Sequence, residues 1–168
     1  MTLLTTLNLN LTPFADTLLA QARDYLNKGE DDFAIILAHI ACETETESAL
    51  TRLIQSRGDP LLGELLLDAV GNRMHFLSNR VYDVYSALAD DYPKGHPDHK
   101  IAAADWWIPW KNSRNLRNDI AHGKAKALPG QAAVAIEATS AYVKQVRDKA
   151  SLAVARTQAR PATCQHPS

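Results

Sequence analysis

The chain has 168 residues, about the length of one ordinary domain and enough to bury a sizeable core. Its 46% hydrophobic and 22% charged residues are typical of a soluble globular protein, and its net charge of −1 excludes a general attraction to nucleic acids or anionic membranes. The sequence contains no apolar run that approaches the roughly 20 residues of a membrane-spanning helix.

The two cysteines bear on the cellular compartment. Cys42 lies in an apolar helical segment and Cys164 lies near the end of the chain, which argues against a structural disulfide and favours a reducing compartment. The N-terminus has no basic region, and threonine and asparagine interrupt its leucines, which argues against a signal peptide. We therefore expect a cytoplasmic protein without a membrane association.

The chain divides into three parts. Late in residues 1–12 apolar and polar side chains alternate, with Leu7, Leu9 and Leu11 as the apolar members, and this period of two is typical of an extended segment. We predict that they form an N-terminal arm that packs on the domain or on a partner. Residues 13–157 are predicted to form a single helical domain, and residues 158–168 a flexible tail.

Apolar periodicity and turn residues predict the helices of this domain. Pro13 suits the first turn of a helix, and Gly29 and Gly123 suit helix ends. The predicted helices cover about 13–28, 31–57, 61–70, 74–90, 109–122 and 131–156. Their apolar positions, among them Phe14 and Val134, are predicted to face the core. The fold class that follows is all-α, an up-and-down bundle of four long helices plus one or two short helices.

Three tryptophans stand at the entry of the fifth predicted helix. We predict that Trp106, Trp107 and Trp110 are packing anchors, and stacking of a nucleic-acid base on one of them is the alternative. His96 and His99 lie in the preceding proline-containing loop, and no further Cys or His follows at the spacing of a metal site. We therefore predict a solvated loop, no metal site and no cofactor.

Two glutamates interrupt an apolar face of the second helix. The apolar members of that face are Ile36, Ile40, Leu50 and Ile54. Glu43 and Glu47 complete the same series, although a buried carboxylate is costly unless it is paired. Two interpretations stay open. Either these glutamates meet a cation from another helix or line a cavity, or the helix is rotated slightly and both reach solvent.

The fifth predicted helix carries a polar and basic face. At 100° per residue, Arg114, Arg117, Asn118 and His122 share one face of roughly 140°. Five lysines or arginines lie between positions 111 and 126, against the single acid Asp119. This face suits a phosphodiester, because arginine offers a rigid fork of donors to phosphate oxygens and histidine exchanges a proton near neutral pH. The structural alternative is that these residues only cap the end of the helix and interact with its dipole.

The segment 117–123, read Arg-Asn-Asp-Ile-Ala-His-Gly, resembles the signature of the HEPN superfamily. That signature is an arginine followed after four to six residues by a histidine, commonly with a polar residue directly after the arginine. The setting is similar too, because the motif ends a penultimate long helix and an alanine-rich helix follows it. Residues 34–43 resemble the family helix that bears an acidic residue facing the motif.

The resemblance implies a helical bundle that pairs as a homodimer, so that two copies of the motif share a cleft. It implies a metal-independent endoribonuclease in which His122 acts on the 2′-hydroxyl proton of RNA, Arg117 stabilises the charged phosphorane and Asn118 assists. The products would carry a 2′,3′-cyclic phosphate and a 5′-hydroxyl. The supporting candidates are Arg114, Asp119, Glu43 and Glu47.

The resemblance also bears on partners. Many proteins of this superfamily are toxins or serve defence against phage, which implies a possible antitoxin or regulatory partner. Others have lost catalysis and act as dimerisation modules or as modules that bind RNA or a protein partner. Because this chain keeps both Arg117 and His122, the enzyme is the favoured expectation, and the non-catalytic module stays open as its alternative.

Overall fold

A computed structural model describes residues 13–57, 75–90 and 105–159. The described residues form five helices and no strand. These helices are α1 (Phe14–Asn27), α2 (Asp31–Gln55), α3 (Asn79–Ala89), α4 (Trp107–Ala121) and α5 (Gln131–Gln158). Four of them have 14 residues or more and α3 has 11, which confirms the predicted all-α bundle. The predicted arm, the helix at 61–70, the histidine-containing loop and the tail beyond 159 lie outside the described residues.

The directions of the helices follow from their side-chain contacts. α1 and α5 run antiparallel, because later residues of α1 contact earlier residues of α5. Those contacts join Asp16 to Arg147 and Arg23 to Ser140. α2 and α5 run parallel, because later residues of α2 contact later residues of α5. Those contacts join Cys42 to Thr139, Thr46 to Tyr142 and Arg52 to Ser151.

Helix boundaries follow the local chemistry with one clear correction. Gly29, at a φ of 76°, closes α1 as predicted, because glycine adopts this left-handed conformation without strain. α3 begins at Asn79 rather than at the predicted Met74. The physical reason is Ser78, whose extended backbone (φ −81°, ψ 122°) stands as the N-cap and interrupts any helix that would enter from residues before it.

The predicted core is right in its general composition and wrong at two positions. Phe14 is 64% exposed and Val134 is 50% exposed. Phe14 is the first residue of α1, and the buried positions of that helix begin one residue later. Val134 lies about 100° around α5 from the buried Ala135. Helical spacing alone does not distinguish such exposed apolar positions, at the edge of the buried face, from positions inside it.

The three tryptophans pack beside α5, Trp107 and Trp110 buried and Trp106 partly buried, as expected of packing anchors. Trp110 is 1% exposed, and its ring stacks on Tyr142 of α5 with centroids 4.6 Å apart and planes inclined by 13°. Trp107 stacks on Trp110 at 5.3 Å, and Trp106 meets Tyr142 edge-on at 6.2 Å. The hydroxyl of Tyr142 lies 2.7 Å from that of Thr46 on α2. This aromatic cluster joins α4 to α5 and α2, and so fixes the position of the helix that carries the motif.

Candidate functional site

The end of α4 is built by glycine and by backbone hydrogen bonds. Gly123 has a φ of 67°, its N–H donates to Ile120 O at 2.9 Å, and the N–H of Lys124 donates to Asp119 O at 2.8 Å. These two bonds form a Schellman motif, which satisfies carbonyls that a helix end leaves free. His122 is the last residue before this turn, and its side chain is exposed. The imidazole is therefore not required to cap the helix.

Arg117 joins α4 to α2. One nitrogen, Nη2, donates to Glu43 Oε1 at 3.1 Å, and the other, Nη1, donates to Asn118 Oδ1 at 3.1 Å. The side chains of Arg117 and Glu43 are 25% and 36% exposed, so the pair lies at the edge of the interior. The third nitrogen, Nε, is buried and has no hydrogen-bond partner among the described residues. The structure thus brings three of the predicted site residues together.

Arg114 lies one turn before Arg117 and contacts a histidine that the sequence analysis did not single out. Its Nη2 lies 3.1 Å from Nε2 of His75, in the turn before α3. A guanidinium has donors only, so Nε2 of His75 accepts the hydrogen bond and this imidazole is neutral in the observed geometry. Burial, followed by the positive charge of Arg117, lowers the pKa of Arg114.

His39 lies beneath the two arginines. It is 3% exposed, and its Nε2 lies 3.0 Å from Ser113 Oγ, which itself donates to Trp110 O at 2.9 Å. Because the serine proton is used in that second bond, Nε2 of His39 is the donor in the first. Burial, then the nearby positive charges of Arg117 and Arg114, lower the pKa of His39 from 6.5 to about 3. His39 is therefore uncharged at neutral pH.

These side chains surround a cavity of about 20 Å³, which is room for about one water molecule. The residues that line it are His39, Cys42, Glu43, His75, Trp110, Arg114, Arg117 and Asn118. Cys42 is fully buried, and burial raises the pKa of its thiol above the usual range. A thiol in this state is a poor nucleophile, so the polar chemistry of the cavity belongs to the two arginines, the two histidines, Glu43 and Asn118.

Three predicted site residues lie apart from this cavity. His122 and Asp119 are exposed at the end of α4, and neither lines it. Glu47 is exposed on α2. Each of the two interpretations of the glutamates holds for one residue. Glu43 meets a cation from another helix, and Glu47 reaches solvent.

The sequence analysis missed His39, Ser113 and His75. Two of them carried a signal, because His39 lies four residues before Glu43 and Ser113 lies four residues before Arg117, so each shares a helix face with a residue already singled out. His75 carried no such signal. It precedes α3, and only the tertiary fold brings it to Arg114.

Within residues 13–57, 75–90 and 105–159, no three His, Cys, Asp or Glu side chains gather as a set of metal ligands. None of the helices described is long and apolar enough to cross a membrane. The chain matches no family model, no curated protein and no solved structure. Function is therefore inferred from the geometry of the site and from the motif that α4 carries.

The buried His39 predicts how stability depends on pH. The unfolded chain binds a proton at this imidazole below pH 6.5, whereas the folded chain binds it only near pH 3. Protons therefore favour the unfolded chain in this window, and stability falls as the pH drops. We expect this residue alone to lower the free energy of unfolding by about 2 kcal/mol between pH 7 and pH 5.

Urea unfolding at the two pH values, with wild type beside His39→Gln, measures this contribution. The variant should lose about 2 kcal/mol less than wild type on acidification. Thr139→Val is the control, because it alters a buried hydroxyl on α5 that binds no proton in this range, and so should leave the pH dependence unchanged. Equal pH dependence in wild type and His39→Gln would show that folding does not lower the pKa of His39.

Proposed function

We propose that the protein is a metal-independent endoribonuclease that acts as a homodimer. The observation that carries the proposal is the polar face of α4, where Arg114, Arg117 and Asn118 converge on one cavity while His122 stands exposed at the end of the same helix. The arginines supply donors for phosphate oxygens, and the histidine is free to reach a substrate. The resemblance of the motif to the HEPN signature favours RNA as the substrate.

In the proposed reaction, His122 removes the proton of a 2′-hydroxyl, and the 2′-oxygen attacks the adjacent phosphorus. Arg117 stabilises the negative charge of the phosphorane, with Asn118 and Glu43 holding its guanidinium in place. The bond from phosphorus to the 5′-oxygen breaks, and that oxygen takes up a proton. The products are a 2′,3′-cyclic phosphate and a 5′-hydroxyl. The substrate supplies its own nucleophile, so no step requires a metal ion.

Charge and exposed apolar side chains support the proposed partners. The chain as a whole has a net charge of −1, but five lysines or arginines and one acid lie between positions 111 and 126, which gives RNA a local basic surface. Ile108, Leu128 and Val134 are each at least 50% exposed, Ile108 and Val134 line one groove between α4 and the start of α5, and exposed apolar groups of this kind mark protein interfaces. A toxin or phage-defence effector held by an antitoxin would suit such an activity.

One observation favours a second candidate, a non-catalytic module that pairs or binds RNA or a protein partner. Both terminal nitrogens of Arg117 already have partners within the chain, and His122 does not line the cavity that Arg117 lines. An arginine held in this way can serve to join α2 to α4. In this candidate the polar face of α4 binds without cutting.

An RNA cleavage assay in EDTA separates the two candidates. The purified protein and an Arg117→Ala/His122→Ala double variant, prepared identically, are incubated with varied RNAs, and the product ends are mapped. We expect cleavage by wild type only, with 3′ ends that resist phosphatase until the cyclic phosphate is opened and 5′ ends that a kinase labels directly. RNA that wild type binds but leaves intact supports the module, and equal cleavage by both proteins indicates a contaminating nuclease.

A further inference from the structure

The cavity under α4 has an unbalanced charge. Two guanidinium groups, those of Arg114 and Arg117, line it, and Glu43 is the one carboxylate among the described residues that do so. Glu43 bonds Arg117, whereas the hydrogen bond of Arg114 in this cavity goes to the neutral His75. Two like charges in a partly dry site repel each other, and an anion between them relieves that repulsion.

The side chains around Arg114 also hold it in place. His75, in the turn before α3, accepts its hydrogen bond, and the neutral His39 with Ser113, the residue before Arg114 on α4, forms a buried floor. Arg114 is thus a preorganised donor with a full positive charge. The buried Nε of Arg117 has no hydrogen-bond partner among the described residues, and the same side chain lines this cavity.

We infer that this cavity is a subsite for a phosphate group, held mainly by Arg114 and separate from the phosphodiester that His122 acts on. The cavity itself has room for about one water molecule, so one phosphate oxygen can enter it while the rest of the group stays on its solvent side, and a nucleobase is excluded. His122 lies eight residues beyond Arg114, about 12 Å further along the helix axis, and does not line the cavity. The subsite would hold a neighbouring phosphate of the same RNA strand, without reading its sequence. This RNA part rests on the proposed function, whereas the anion site does not.

Titration with inorganic phosphate tests the anion site. Unfolding midpoints are measured against phosphate concentration, with ionic strength held constant by sodium chloride. We expect phosphate to stabilise wild type beyond the chloride series, and Arg114→Gln to weaken the apparent phosphate affinity at least tenfold. Glutamine keeps an N–H for His75 but removes the charge. Arg114→Lys should restore part of the affinity, and Arg156→Gln, at an exposed position of α5, should match wild type.

Two results would overturn the site. One is stabilisation no greater than that given by chloride, and the other is equal phosphate affinity in wild type and Arg114→Gln. Arginine and lysine carry a positive charge that glutamine lacks, and all three side chains can donate to His75. An equal loss in Arg114→Gln and Arg114→Lys would therefore indicate a structural role for Arg114 and would also count against the site.

Binding of RNA tests whether the phosphate comes from a nucleic-acid strand. In a His122→Ala background, affinity for a single-stranded RNA is measured at several salt concentrations. The slope of log affinity against log salt concentration reports the number of phosphates that the protein contacts. We expect Arg114→Gln to lower that number by about one, and a DNA strand of the same sequence to show the same reduction. An unchanged slope beside confirmed phosphate binding would mean that the site takes a free anion, which overturns the RNA subsite. If phosphate binds but wild type cuts no RNA, the proposed nuclease fails and the anion site stands.

Discussion

His122→Ala is expected to lower the rate of RNA cleavage by about 10³-fold, because a positioned proton acceptor typically contributes 10²–10⁴-fold to such a step. Arg117→Ala is expected to lower it by a similar factor, because in the proposed reaction Arg117 stabilises the charge that develops on the phosphorane. Single-turnover rates with enzyme in excess measure both effects without interference from product release.

The position of His122 makes its variant easy to interpret. Its side chain is exposed, and the end of α4 is closed by backbone hydrogen bonds of Gly123 and Lys124, so the alanine variant should fold with an unchanged unfolding midpoint. Arg156→Ala, which removes an exposed cation from α5, is the matched control for general loss of positive charge. A His122→Ala protein that folds normally and cleaves at the wild-type rate would exclude the proposed mechanism.

Arg117 needs a second comparison, because its removal leaves Glu43 without the cation that it bonds. Arg117→Lys keeps a positive charge for Glu43 but loses the fork that contacts two groups at once. We expect this variant to fold like wild type and still to lose most of the activity. Recovery of full activity in Arg117→Lys would show that the charge alone is sufficient and that the geometry described for Asn118 and Glu43 has no role in catalysis.

Much of the bundle could be predicted from local signals. Apolar residues at helical spacing indicated the helices, and glycines with a positive φ stand where the sequence placed helix ends, as at Gly29 and Gly123. The residues of α4 that share a polar face could be placed from 100° of rotation per residue, since that relation does not depend on the rest of the fold. Arg114, Arg117 and Asn118 do line one cavity.

The acidic residues of α2 show where local signals fail. A single heptad-like face was assumed for this helix, and it contained Glu43 and Glu47. In the structure α2 packs against α1 on one side and α5 on another, so buried positions extend around more than one face. Glu45, about 200° from Glu43, is therefore buried, and Glu47 is exposed. Only the arrangement of neighbouring helices decides which glutamate is inside.

Arg147→Ala is expected to lower the free energy of unfolding by about 3 kcal/mol, because it breaks a buried ion pair and leaves a carboxylate poorly compensated. Glu45 is the carboxylate concerned, with a side chain 4% exposed, and Nη2 of Arg147 lies 2.7 Å from its Oε2. Arg147 also bonds both carboxylate oxygens of Asp16 on α1, at 2.9 and 3.0 Å. These hydrogen bonds raise the pKa of Arg147 further above its usual range, so its charge is permanent.

Urea unfolding of two further variants tests the cause of the loss. Glu45→Met/Arg147→Met removes both charges and keeps apolar volume, so it should be more stable than Arg147→Ala, which leaves Glu45 with Arg52 as its remaining ion partner among the described residues. Asp16→Asn removes only the more exposed acid, 37% accessible, and should cost no more than about 1 kcal/mol. A loss below about 1 kcal/mol in Arg147→Ala would show that the network contributes little to stability.

Two glutamates only two residues apart on α2 are thus expected to behave differently. Glu43→Gln affects an ion pair that is 36% and 25% exposed, where solvent weakens the interaction, so we expect a change of at most about 1 kcal/mol in stability and a clear loss of cleavage. Arg147→Ala removes the ion partner of Glu45, which lies on another face of α2. This variant should be less stable, but its folded fraction should still give RNA products with the same ends as wild type. The two effects are separate because positions 43 and 45 lie on different faces of α2 and so contact different neighbours.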